Sequence, residues 1–187
     1  MKNKIYLYED RGVFSRILET LTEVMVVAAL GLFLAQYLFL SASTVSKSME
    51  PTIEPESTVF IDRIVYSMKA PERFDVVAFS RSGTSLERDV LIRRVIGLPG
   101  EEVRISKGVV YINGHKLDVS RYTSEITSDG IAGDGLLLGE NEYFVLGDTP
   151  ANSEDSRSST IGAIDRELLI GKVWLTVKSV TELRLIR

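Results

Sequence analysis

Hydrophobic positions along the chain form one long unbroken run followed by many short ones. The run is VMVVAALGLFLAQYLFL, residues 24–40, which carries no charge and a single amide, Gln36. Its length is at the short end of what a spanning helix needs, and Leu21 and Thr22, across Glu23, extend it. Lys2, Lys4, Arg11 and Arg16 precede the run, while Lys47 alone follows it closely. Basic residues concentrate on the cytoplasmic side of a membrane segment. The pattern therefore predicts a cytoplasmic tail over residues 1–23, a membrane anchor over 24–40 and an extracytoplasmic domain over 41–187. A cleaved signal peptide has a shorter apolar core, about 7–15 residues, and does not follow so long a polar tail.

Beyond residue 41 the apolar runs are short and punctuated by turn residues. STVFIDRIV (57–65), FDVVAFS (74–80), DVLIRRVIG (89–97), EYFVLG (142–147) and IGKVWLTV (170–177) are rich in β-branched and aromatic residues, as strands are. VVYINGHKLDV (109–119) places Asn113-Gly114 between two alternating runs, the strongest short hairpin signal. The polar, glycine-containing stretches 81–89 and 120–135 read as loops. No amphipathic pattern long enough for a ten-residue helix follows residue 41. The expected fold is mainly β: one N-terminal transmembrane helix, then one compact β-rich extracytoplasmic domain.

Composition narrows the chemistry. The formal charge is −4 over 187 residues, without the clustered Lys and Arg of a nucleic-acid surface, so no nucleic-acid partner is expected. There is no cysteine, which removes disulfides, thiolate nucleophiles and thiolate metal sites. The one histidine, His115, rules out a multi-histidine metal site and leaves a Ser-His-Asp triad a single candidate base. It sits just after the hairpin turn, where a surface residue is expected. No metal and no cofactor are expected.

Three segments carry candidate chemistry in order: VSKSMEPTI (45–53), LIRRVIGLPGEEV (91–103) and GDTPANSEDSR (147–157). Together with the preceding apolar run and the FDVVAFS segment, they resemble the type I signal peptidases, in the compact Gram-positive-like form. These are membrane-bound serine endopeptidases of the Ser/Lys type that release signal peptides from exported proteins. The resemblance implies that Ser48 is the nucleophile and that Ser46 joins the Ser48 backbone N–H in an oxyanion hole. Two such donors aimed at one developing charge contribute a few kcal/mol each, roughly. It implies that Met49 and Pro51 shape the loop, and that Gly147 and Asp148 open the last box. Ser153 then positions the base, and Asp155 and Arg157 form a buried ion pair. Thr149, Pro150 and Ala151 depart from the family's usual residues.

The general base also departs. The family's lysine position is held by Arg93, followed by Arg94. Lysine starts near a pKa of ~10.4 and burial brings it to about 7–8, where it works as a base. Arginine stays protonated. Lys47 is adjacent to Ser48, and neighbours in extended chain point to opposite faces. The implied partners are membrane lipid and the signal peptides of exported pre-proteins, cut after small residues at −3 and −1. The other reading is a non-catalytic homologue that holds extended peptides such as pilin segments and assists pilus assembly.

Overall fold

The computed structural model describes residues 12–44, 46–81, 90–179 and 182–186. The chain divides into an N-terminal unit ending at Leu38 and a second unit over Phe39–Arg187. Lys2, Lys4, Arg11 and most of the expected loop 81–89 lie outside the described residues.

The first unit is a single helix, α1, Val13–Leu38. Leu, Ala, Met and Glu favour the helix, and no proline interrupts it. The Thr20 and Thr22 hydroxyls bond back to the carbonyls of Arg16 and Leu18. The helix begins well before the apolar run, because ILETLTE has the same propensity as the residues after it. Val24, Met25, Val26, Val27, Leu30, Leu32 and Phe33 are all exposed. Among the described residues no helix is long and apolar enough to cross a membrane. The predicted anchor is also shortened at its end, since Phe39 and Leu40 belong to a strand.

That strand, β1 (Phe39–Thr44), pairs antiparallel with β2 (Ser57–Asp62), from Phe39 opposite Asp62 to Thr44 opposite Ser57. A short helix, α2 (Val65–Met68), follows, and then β3 (Val76–Ser80) and β4 (Val90–Gly97). Next come β5 (Glu102–Ser106), β6 (Val109–Ile112), β7 (His115–Leu117), β8 (Leu136–Leu137) and β9 (Glu142–Leu146). The last are β10 (Ile164–Asp165), β11 (Leu169–Ser179) and β12 (Glu182–Leu185). The larger sheet runs β1-β2-β11-β3-β4-β9-β10, with β12 also on β11, and the smaller runs β7-β6-β5-β8. The second unit is thus mainly β. The Asn113-Gly114 turn joins β6 to β7, and His115 is exposed there, on the smaller sheet.

Strand β3 is buried along its whole length. Val76 and Ala78 pack with Met49, Ile53, Val59, Ile61, Ile92 and Val173. Val77 and Phe79 pack with Tyr66, Val95, Tyr143 and Val145. Successive strand residues face opposite ways, so apolar layers cover both faces, which is why FDVVAFS reads as a continuous apolar run. A third cluster joins Ile96, Phe144 and Leu146 to Val103, Ile105, Val110 and Ile112 of the smaller sheet. Gly97 lets that cluster close: a Cβ there would stand 2.9 Å from the Phe144 Cβ and 2.8 Å from a Leu138 methyl.

A buried ion pair ties three segments together. Arg94 of β4 is 1% exposed. Its Nε donates to Asp148 Oδ1 at 2.8 Å, and its Nη2 to Asp148 Oδ2 at 2.6 Å and Thr52 Oγ1 at 2.9 Å. Its Nη1 donates to the Phe74 carbonyl at 3.0 Å, and the guanidinium lies 4.4 Å from the Tyr122 ring centroid. Removing one partner of such a pair strands the other charge, at a cost of about 3–5 kcal/mol. Asp148→Ala should lower unfolding free energy by about that much in urea titrations of the purified chain. Lys69→Ala, which breaks the exposed pair with Glu72, should cost about 1 kcal/mol or less.

Candidate active site

Ser48 lies in the turn between β1 and β2 and is 1% exposed. The turn is closed by the Ile53 N–H on the Met49 carbonyl at 2.8 Å, with Met49 itself in the core. The Thr149 N–H donates to the Ser48 carbonyl at 2.9 Å, and Thr149 Oγ1 to the Glu50 carbonyl at 2.9 Å. Thr149, a departure from the motif, therefore stitches the two loops together. Pro51 is exposed, and its carbonyl accepts from Arg184 Nη1 at 2.9 Å.

Two groups meet the Ser48 hydroxyl, and both donate to it. Ser46 Oγ donates at 2.9 Å and Arg93 Nη1 at 2.8 Å. The Ser48 backbone N–H in turn donates to Ser46 Oγ at 3.2 Å. The two oxyanion-hole donors expected from the sequence are therefore together, but each is satisfied within the serine pair. Lys47 is exposed.

Arg93 reaches Ser48 because the β4–β9 ladder ends at the Arg94–Leu146 pair, leaving the earlier part of β4 clear of β9. Adjacent residues of β4 leave on opposite faces, so Arg94 goes to Asp148 while Arg93 turns to Ser48. Arg93 is 4% exposed. Its Nε and Nη2 both donate to the Glu154 carbonyl, at 3.0 and 2.8 Å, and Nη1 also donates to the Ile92 carbonyl at 2.6 Å. Burial holds the guanidinium below the ordinary arginine range, while the carboxylates of Asp155 and Glu154 act in the opposite direction.

The last box folds as a brace beneath this pair. Asp155 and Arg157 are both buried, with Arg157 Nε to Asp155 Oδ1 at 2.8 Å and Nη2 to Oδ2 at 3.0 Å. Asp155 Oδ2 also accepts the Gly147 N–H at 3.1 Å, and Arg157 Nη2 donates to the Pro150 carbonyl at 2.6 Å. Gly147 permits the close approach: a Cβ there would collide with the Ser153 side chain and stand 2.7 Å from the Ser48 carbonyl oxygen. Ser153 Oγ is buried with no hydrogen-bond partner among the described residues. It lies in the same corner, where Arg93 donates to two carbonyls and to Ser48.

The structure therefore brings Ser46, Ser48, Arg93, Gly147, Asp148, Ser153, Asp155 and Arg157 into one region. Sequence reading missed four contributors: Arg94, Thr52, Tyr122 and the Glu154 carbonyl. Arg94 carried a signal, because the strand alternation that sends Arg93 to the serine sends its neighbour elsewhere. The others had none, since each acts through a contact distant in sequence. Among the described residues no cluster of side chains suited to a metal ion occurs.

Comparison with known proteins places this geometry. Residues 17–178 match the family model described as signal peptidase, peptidase S26. Over 133 residues the chain is 35% identical to a probable signal peptidase I-2 of Synechocystis sp., covering 70% of this chain and 59% of that protein. Over 161 residues it is 30% identical to signal peptidase I of Bacillus caldolyticus, covering 80% and 83% of the two chains. Among solved structures, a signal peptidase I from Enterococcus faecalis is 32% identical and superposes with a TM-score of 0.44. That match covers 56% of this chain and 97% of the other. The family match spans most of the sequence and includes the serine turn, the arginine strand and the Asp155–Arg157 brace; the chain belongs to the signal peptidase family, peptidase S26.

Proposed function

We propose that this chain binds signal-peptide segments of exported proteins on a serine-endopeptidase scaffold, and that Arg93 holds its cleavage rate far below that of a lysine-based site. The observation that carries the reading is the hydrogen bond from Arg93 Nη1 to Ser48 Oγ at 2.8 Å. A base must accept the serine proton, and here the group at the base's place donates one. Ser46 donates to the same oxygen, so both protein groups on Ser48 oppose loss of its proton to them. His115 sits on the smaller sheet and serves no role at Ser48.

The size of the effect follows from the two side chains. A neutral guanidine at pH 7 lies about 9 kcal/mol above the protonated form, because a free guanidinium titrates far above neutral pH. A buried lysine tuned to about 7–8 has almost no such barrier. The difference is on the order of six decades of rate, before any reduction by burial of Arg93.

Peptide binding does not need the base. On the side away from β3, the part of β4 before Arg94 has no partner strand among the described residues. An extended peptide can add to such an edge, with alternate side chains entering pockets. Near the tightly enclosed Ser48, small residues at −1 and −3 suit that arrangement. The same proposal places α1 in the membrane as a single-pass anchor, with the N-terminus cytoplasmic and the β unit outside. The exposed apolar side chains along α1 support this, since a helix apolar on all sides calls for lipid or protein around it.

Four outcomes follow. Arg93→Lys should create cleavage of a signal-peptide substrate several decades above the unmodified chain, and adding Ser48→Ala should abolish the gain. Equal cleavage by both forms would show that Arg93 is not at the base position. Within the Arg93→Lys background, Gly147→Ala should remove most of the gain in a single-turnover assay, because the new methyl displaces Ser153 and the Ser48 carbonyl; undiminished cleavage would show that the close approach is dispensable. In cell fractionation the full chain should sediment with membranes, and deletion of residues 1–38 should release it. Protease added outside spheroplasts should digest the β unit and spare the N-terminal tail.

A further inference from the structure

The charges around Ser48 do not cancel pairwise. Among the described residues four arginines stand in this corner: Arg81, Arg93, Arg94 and Arg157. The three described carboxylates that face them are each committed: Asp148 to Arg94, Asp155 to Arg157 and the Glu154 side chain to Arg81. Arg93 has only the Glu154 and Ile92 carbonyls and the Ser48 hydroxyl. Among the described residues it forms an ion pair with no carboxylate, although it is almost fully buried. Asp155 and Glu154 act on it by charge without an ion-pair contact, and a buried cation with no directly paired carboxylate is costly. An anion brought by a ligand lowers that cost.

The other polar atoms at the same point add donors and little competition. Ser46 Oγ–H and the Ser48 N–H are turned onto each other's residue and can be redirected to a stronger acceptor. The buried Ser153 hydroxyl has no hydrogen-bond partner among the described residues. A guanidinium has five N–H donors. Four make the bonds given above, which leaves one Nη2 hydrogen without an acceptor among the described residues. A planar carboxylate matches a guanidinium fork better than it matches an ammonium point charge. Ser46 is exposed while Ser48 is not, so an anion enters past Ser46, beside the unpaired edge of β4.

We propose that the Ser46–Ser48–Arg93 site is a receptor for the free C-terminal carboxylate of an extended peptide ending in a small residue. Its ligand is thus the product of a cleavage, such as a released signal peptide, and not an intact precursor. The inference rests on the peptide-binding reading above and adds the end group that is recognised. In a lysine-based site the same position must hold a neutral amine, which offers no charge to a carboxylate. Replacing that amine by a permanent cation exchanges proton transfer for anion recognition.

The test uses the full chain in detergent micelles and fluorescence anisotropy with N-terminally labelled peptides of one sequence. One ends in Ala-Gln-Ala as the free acid, one is its C-terminal amide, and one continues past Ala-Gln-Ala into a mature-protein segment. The free acid should bind about ten-fold or more tightly than either of the others, the scale of a charge-assisted hydrogen bond. Arg93→Gln should bring the acid-to-amide ratio toward one. Equal binding of acid and amide by the unmodified chain overturns the carboxylate proposal and leaves peptide binding standing. A ratio unchanged by Arg93→Gln overturns the assignment to Arg93. Binding of none of the three overturns both this inference and the reading on which it rests. Should Arg93→Gln fail to fold, the acid-to-amide ratio of the unmodified chain decides alone.

Discussion

Two guanidinium groups on adjacent residues of one strand must both be buried, and the second unit is arranged around that constraint. Strand geometry sends them to opposite faces, so each requires its own set of acceptors. Arg94 receives a carboxylate, a threonine hydroxyl, a backbone carbonyl and an aromatic ring. Arg93 receives two carbonyls and the hydroxyl of Ser48. Phe74 precedes β3, Tyr122 follows β7 and Ile92 lies in β4 itself. The turn after β1 supplies Ser48 and Thr52, and the segment after β9 supplies Asp148 and the Glu154 carbonyl. Their positions are therefore tied to β4 by charge as well as by packing.

The segment after β9 is held at several points. Asp148 and Asp155 lie on the same loop and each grips a different arginine, with Gly147 between strand and loop. The Thr149 N–H then holds the Ser48 carbonyl. The departures from the family motif at Thr149 and Pro150 are accommodated because their contributions are a hydroxyl bond to Glu50 and a carbonyl offered to Arg157.

The strands rich in β-branched residues were legible because their side chains carry the pattern that burial demands. β3 and β4 sit where the apolar runs predicted, and the Asn113-Gly114 turn forms the expected hairpin. β5 was not foreseen, because only Val103 and Ile105 alternate among charged neighbours. Its place is decided by pairing with β6 and by the cluster both residues enter. β1 spans the end of the apolar run and the first residues expected in the extracytoplasmic domain. It becomes a strand through its six-residue register with β2, a partner that no local pattern announces.

For the site, the sequence by itself determined which side chains are available and what chemistry they can do. By the family resemblance it singled out Ser46, Ser48, Ser153 and the Asp155–Arg157 pair, and it put Arg93, whose protonation is a property of the side chain, where a base lysine is expected. The tertiary structure decided what those groups do to one another. Only the fold shows Arg93 donating to Ser48, Ser46 closing on the same hydroxyl, and Ser153 without a partner among the described residues. Only the fold shows that Asp148, Asp155 and Glu154 are each paired with another arginine, so that Arg93 has no ion pair among the described residues. The reason is physical: residue type sets charge and hydrogen-bonding capacity, while pairing depends on distances between segments far apart in sequence.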